Sequence, residues 1–211
     1  MIISKGYCYT IVDHMNYTSN FRKYTSRNPL QKYLINNFLN TLFSCIDDLK
    51  IEKVLDAGCG EGFVLSEFNN RNIGDHLEGI DFSEEALDTG KKLFPYLSLK
   101  KGDVYRMPYE NNSFDLVICT EVMEHLKEPG RVMDEIVRVS KKYCLFSVPN
   151  EPLFMISNLL RGKNISRWGN DIDHLQHWSC KEFENFVDAK LDVLTIKRPF
   201  PWTLILGRKK I

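Results

Sequence analysis

The stretch EVMEHL, residues 121–126, carries two carboxylates and an imidazole: Glu121, Glu124 and His125. It follows the apolar run FDLVICT directly. Farther along, NDIDHLQHWSCKEF (170–183) supplies two more imidazoles, His174 and His177. Groups of these types do two kinds of chemistry. They move protons near neutral pH, histidine above all because its ordinary pKa is about 6.5. Mixed oxygen and nitrogen donors also suit divalent ions such as Mg, Mn or Zn. A bland reading stands beside both: His125 donating to a backbone carbonyl. A helix beginning after FDLVICT would put positions 121, 124 and 125 on one face.

A second set of acids stands where apolar runs end. Asp56 lies inside VLDAGCGEG (54–62), Asp81 closes EGID, and Asp103 closes KKGD. Glycines after a buried strand let the backbone turn tightly and come close to a ligand. A dinucleotide-binding turn wants a small residue at position 63, and this chain has Phe63. Asp81 has the lone pairs to accept from two ribose hydroxyls, and Asp103 can accept from an adenine amino group.

These groups need elements to hold them. Pro29 opens a helix whose Leu34, Phe38, Leu42 and Ile46 recur every four residues on one buried face. Strand and helix patterns then alternate. Strands are expected over 53–58, 76–81, 96–103, 114–120 and 143–149. Helices are expected over 61–70, from a Ser83 cap to about Phe94, and over 130–140. Ser179 and Glu182 form a capping-box pattern ahead of FENFVDA, and LDVLTIK and WTLILGR read as two closing strands. Only Arg198, Pro199, Phe200 and Pro201 separate those two, too short for a crossover helix, so they should pair antiparallel. Continuous apolar strands alternating with helices predict an α/β fold, a parallel sheet covered on both faces. Its ligand crevice lies beyond the carboxyl ends of the strands.

Taken in order, VLDAGCGEG, GIDFS, GDVYRMPYENNSFDLVICTEVMEHL and SVPNEP resemble the class I S-adenosylmethionine-dependent methyltransferases, over roughly residues 52–150. The resemblance implies a Rossmann-like, seven-stranded, mostly parallel sheet with an antiparallel C-terminal hairpin strand. It implies S-adenosylmethionine as cofactor, with Asp56, Gly58 and Gly60 shaping the methionine pocket and Asp81 holding the ribose. Phe82 would flank the adenine, Asp103 and Val104 would meet its edge, and Cys59 and Thr120 would lie against the same molecule. EVMEH, SVPN and DHLQHWSCKEF together resemble two metal-dependent groups, the ubiquinone-pathway catechol O-methyltransferases and the small-RNA 3′-end 2′-O-methyltransferases. The latter likeness implies Glu121, Glu124, His125 and His174 as ligands of a divalent ion. His177 stands where that pattern has an acid. In a metal-free alternative, His125 or His174 serves as general base.

Composition sets limits on partners. The 211 residues hold 28 Lys plus Arg against 28 Asp plus Glu, so no global positive field draws nucleic acid or an anionic membrane. Cys8, Cys45, Cys59, Cys119, Cys144 and Cys180 form no CxxC pair, which suits reduced thiols in a cytoplasmic protein. No apolar run approaches the ~20 residues of a membrane span, and MIISKGYCYT lacks the apolar stretch of a secretion signal. Met15 offers a second start position. The expected organisation is one methyltransferase domain over 1–211, with an N-terminal arm over 1–28 and a lid-like insertion over 150–178. The lid carries Leu153, Ile156 and Leu160 at helical spacing, then Arg161, Lys163 and Arg167 beside Trp168. The expected acceptor is a small phenolic, catecholic, lipid or sugar hydroxyl. RNA methylation is the alternative, disfavoured by the charge balance. A nicotinamide oxidoreductase would share the glycine turn and Asp81, but Phe63, Asp103 and the antiparallel ending speak against it.

Overall fold

The computed structural model describes residues 18–151, 155 and 174–210. The arm before residue 18, with Cys8 and Met15, lies outside them, as do Leu153, Ile156, Leu160, Arg161, Lys163, Arg167 and Trp168 of the expected lid.

Helix α1 (Ser19–Tyr24) is capped by Thr18, whose hydroxyl accepts from the Phe21 N–H. Helix α2 (Pro29–Ser44) has Pro29 in its first turn and Asn28 at its cap, accepting from the Leu30 and Gln31 amides. Its buried face carries Leu34, Phe38 and Leu42, as the four-residue recurrence predicted. The rest of the chain alternates: β1 (Lys53–Ala57), α3 (Phe63–Asn70), β2 (His76–Asp81), α4 (Glu84–Leu93), β3 (Ser98–Lys101), β4 (Phe114–Thr120), α5 (Pro129–Val139), β5 (Ser140–Pro149), α6 (Cys180–Asp188), β6 (Leu191–Lys197) and β7 (Trp202–Lys209).

The seven strands form one sheet in the order β3-β2-β1-β4-β5-β7-β6. β1 to β5 run parallel, whereas β7 pairs antiparallel with both β5 and β6. Successive residues of a strand point to opposite faces, and the central strands bury both. In β1, Val54 packs with α2 and α3, while Leu55 faces the layer formed by α5 and α6. Leu116 and Val117 of β4 divide the same way. Truncating a fully buried anchor such as Phe38 or Phe183 to alanine should cost about 3–5 kcal/mol.

Several expected boundaries moved, β3 beginning at Ser98 rather than 96 and β5 at Ser140 rather than 143. The helix expected from 61 starts at Phe63, because Gly62 is left-handed at φ 83° and holds Glu61 in the loop. The third strand ends at Lys101, not 103, because Gly102 leads into a turn in which the Arg106 N–H donates to the Asp103 carbonyl at 3.0 Å.

Candidate active site

The crevice beyond the strand ends is built first from backbone. After β1 the chain passes through Gly58 (φ 84°) and Gly60 (φ 52°), conformations that side chains resist. At Gly58 space forbids one as well, since a Cβ would come within 2.4 Å of Val122 Cγ2. The N–H groups of Gly58 and Cys59 donate to the Ile80 carbonyl at 2.8 and 2.9 Å, tying the loop to β2. Asp81 completes the tie: Oδ2 accepts from the Gly60 N–H and Oδ1 from the Ser83 N–H, each at 2.8 Å. Each oxygen keeps a further lone pair for a ligand hydroxyl.

Asp56 is 1% exposed, and its Oδ1 has no hydrogen-bond partner among the described residues. Burial and then the neighbouring Asp81 push its carboxyl up to about 8. Phe82 is 81% exposed, Val104 is half-buried against the core, and the exposed Asp103 accepts from the Tyr105 N–H at 2.9 Å. Cys59 is buried, and a Cβ on Gly79 would press to 2.7 Å from its sulfur. Burial raises the Cys59 and Cys119 thiols well above their ordinary value, which leaves neither a ready nucleophile. The described cysteines are free thiols, as expected.

Helix α1 docks on this loop. Glu61, fully buried, accepts from Asn20 Nδ2 at 2.6 Å and from the Thr18 hydroxyl. Tyr24 stacks on Phe63 with centroids 4.8 Å apart and planes within 3°. Phe63, out of place for a dinucleotide turn, is therefore the platform for the arm. Lys23 pairs with Glu121 and lies 5.2 Å from the centroid of the Trp202 ring.

The one-face helix expected over EVMEHL does not form. Glu121 adopts φ 56°, and a single 3-10 turn, Met123–His125, follows. The kink parts the acids. Glu121 turns to Lys23, while Glu124, 1% exposed, joins His125 and His174. One ligand atom from each of these three lies within 4.8 Å of the others, and the two imidazole centroids are 5.1 Å apart. Burial, then Glu121, raises the Glu124 carboxyl well above its ordinary range. Its Oε2 has no hydrogen-bond partner among the described residues.

The second histidine segment is clipped into place by backbone. The N–H groups of Leu175 and Gln176 donate to the Glu124 carbonyl at 2.8 and 2.9 Å, and Gln176 Nε2 donates to the Leu126 carbonyl at 3.0 Å. His174 Nδ1 lies 2.7 Å from Glu151 Oε1, and His177 Nδ1 lies 3.6 Å from the same oxygen. The structure thus brings Glu124, His125 and His174 together, sets Glu121 apart from them, and leaves His177 at the margin. Thr120 ends β4, half-buried, beside Ser147 of β5.

Residues 55–147 match the methyltransferase domain family. A ubiquinone biosynthesis O-methyltransferase of Hahella chejuensis is 38% identical over 96 residues, 43% of this chain and 39% of the relative. The small RNA 2′-O-methyltransferase of Mus musculus is 29% identical over 161 residues, 67% of this chain and 38% of the relative. In fold, a Pyrococcus horikoshii protein superimposes with a TM-score of 0.72 at 16% identity, covering 92% of this chain and 100% of its own. Residues 55–147 thus carry a methyltransferase domain, in line with the resemblance to the class I S-adenosylmethionine-dependent methyltransferases. Matched stretches span only 37% to 46% of the first curated relatives' own length.

The residues of the cradle fit S-adenosylmethionine. S-adenosylmethionine carries a sulfonium and an ammonium, and Asp56 is a buried carboxyl raised to about 8 by burial and then by Asp81, with one oxygen unpartnered among the described residues. Sequence reasoning missed Glu61, Lys23 and Glu151. The first stood in plain view inside VLDAGCGEG. Glu151 likewise stood inside SVPNEP, but its partner His174 is distant in the chain, and Lys23 carries no local signal.

Proposed function

We propose that this methyltransferase transfers its methyl group to an acceptor hydroxyl, with Glu124, His125 and His174 as the catalytic cluster. The observation that carries the reading is the convergence of those three groups within 4.8 Å at the tip of β4, beside the carboxylate-lined cradle. In the reaction the acceptor oxygen bonds to the methyl carbon as the carbon–sulfur bond breaks. The hydroxyl proton must leave to a base, and S-adenosylhomocysteine departs. Aligning oxygen, carbon and sulfur supplies much of the rate, and removal of the proton supplies the rest.

Two imidazoles and a carboxylate with an orphaned oxygen are a fitting donor set for Mg, Mn or Zn. A bound divalent ion supplies Lewis acidity, which makes an acceptor hydroxyl more acidic. The chain's own contribution is to hold the donors. The 3-10 turn presents Glu124 and His125, and the backbone clip from 175 and 176 delivers His174. Lys23 neutralises Glu121 and keeps it out of the donor set. Without an ion, His174 or His125 is the base.

The preferred acceptor is a small phenolic, catecholic, lipid or sugar hydroxyl, in line with the ubiquinone-pathway likeness and the lack of net positive charge. The likeness to the small-RNA enzyme favours a second reading, a terminal ribose 2′-hydroxyl, because that match spans 67% of the chain against 43% for the Hahella chejuensis relative. Radiolabelled methyl transfer from S-adenosylmethionine, with a catechol panel against a short single-stranded RNA, decides between them. Transfer to a nitrogen or carbon acceptor alone would sink the hydroxyl reading.

A further inference from the structure

Glu151 is buried to 4% exposure just past the end of β5, and its place in SVPNEP assigned it no role. Its backbone is pinned from both sides. The Glu151 N–H donates to the Trp178 carbonyl at 3.3 Å, and the Asn150 N–H donates to the Pro201 carbonyl at 2.9 Å. One carboxyl oxygen meets His174 Nδ1 at 2.7 Å, with His177 Nδ1 farther off at 3.6 Å. The other oxygen has no hydrogen-bond partner among the described residues. Burying a carboxyl with half its capacity unused is costly, because the desolvated oxygen is not repaid by a hydrogen bond. Packing alone would be better served by an apolar side chain.

We propose that Glu151 is a positioning residue that sets the tautomer and orientation of His174. A carboxylate only accepts, so the proton of the imidazole is held on Nδ1, and Nε2 is the nitrogen that serves the cluster with Glu124 and His125. Both versions of the chemistry need this atom with its lone pair exposed: an ion needs it as a donor, and an acceptor hydroxyl needs it as a proton sink. The consequence for rate rests on the methyl-transfer reading, whereas the tautomer itself does not.

The test is long-range proton–nitrogen NMR on the full chain with 15N-histidine at pH 8, without added metal, His174 being assigned by its loss in His174→Gln. The wild type should show His174 protonated on Nδ1. In Glu151→Met the proton should redistribute toward Nε2, and Glu151→Gln, which keeps the volume and an accepting oxygen, should fall between. Turnover of Glu151→Met should drop about 10–100-fold in kcat, with the KM for S-adenosylmethionine unchanged. A wild-type His174 protonated on Nε2 overturns the proposal without any variant. So does an unchanged tautomer in a Glu151→Met protein that still binds S-adenosylhomocysteine. If no hydroxyl acceptor is ever methylated, the functional reading falls, and the tautomer still decides the role of Glu151.

Discussion

The two halves of the crevice are built by different means. The proposed cofactor cradle comes from short consecutive stretches, and its key contacts are backbone ones: Asp81 holds the Gly60 and Ser83 amides, and Ile80 holds those of Gly58 and Cys59. The Glu/His cluster is drawn from residues 121–125, 151 and 174–177, with Lys23 reaching in from the arm. The cradle is therefore rigid by local geometry and general in what it offers. The cluster is held by tertiary ties and is the part free to specialise. The difference predicts that damage to one half should leave the function of the other measurable.

The largest effect should come from the cluster. Glu124→Ala with His174→Ala is expected to lower methyl transfer by at least ~100-fold, the usual scale for losing acid–base catalysis. Binding of S-adenosylhomocysteine by calorimetry should stay within about twofold. A chelator should reduce wild-type activity if an ion is bound. Full activity of the double variant, indifferent to chelator, would end both the metal and the base assignments.

On the other side of the comparison, Asp81→Ala removes a carboxylate that accepts two backbone amides. Charged hydrogen bonds are worth about 1.5–3 kcal/mol each, so S-adenosylhomocysteine affinity should fall at least ~10-fold. Unchanged affinity would show that the cradle binds by some other route.

Asp56 sharpens the picture through pH. Its folded carboxyl sits at about 8, and an unfolded aspartate is near the ordinary ~3.9. The folded state therefore holds a proton that the unfolded state has lost. Stability contributed by this group should fall as pH rises from about 4 to about 8, and then level off. Thermal melts of the ligand-free protein should show this decline, and Asp56→Asn should flatten it. Calorimetry in buffers of different ionisation enthalpy should report proton release as the cationic cofactor binds. Melts with the same slope in both proteins would contradict it.

The smallest effect belongs to the link between the halves. Lys23 and Glu121 are partly exposed, so Lys23→Met should cost no more than about 1 kcal/mol of stability. Cofactor affinity should weaken only a few-fold, since Tyr24 on Phe63 and Asn20 on Glu61 still dock the arm. A loss as deep as that of Asp81→Ala would make the arm part of the cradle proper.

Legibility in the sequence followed the same division. The strand ends at Asp81 and Thr120, the Ser83 cap, the Ser179–Glu182 box and the antiparallel close were readable because each depends on residues a few positions apart. The failure over EVMEHL was instructive. Helical spacing put Glu121 with Glu124 and His125, but a positive φ at Glu121 breaks that periodicity before it begins. The resemblance to the metal-dependent groups implied that the two histidine segments meet. It was silent on Glu151, whose neighbours in the chain say nothing of an imidazole at position 174.

By itself, the amino-acid sequence determined the order of strands and helices, the glycine turn and the acids at the strand tips, because hydrophobic periodicity and backbone sterics act over a few residues. Only the tertiary structure decided which acid joins the histidines, which one Lys23 takes, and that Glu151 stands behind His174. Those choices are made by burial and charge among groups that meet only when the sheet is assembled, and no local pattern carries that information.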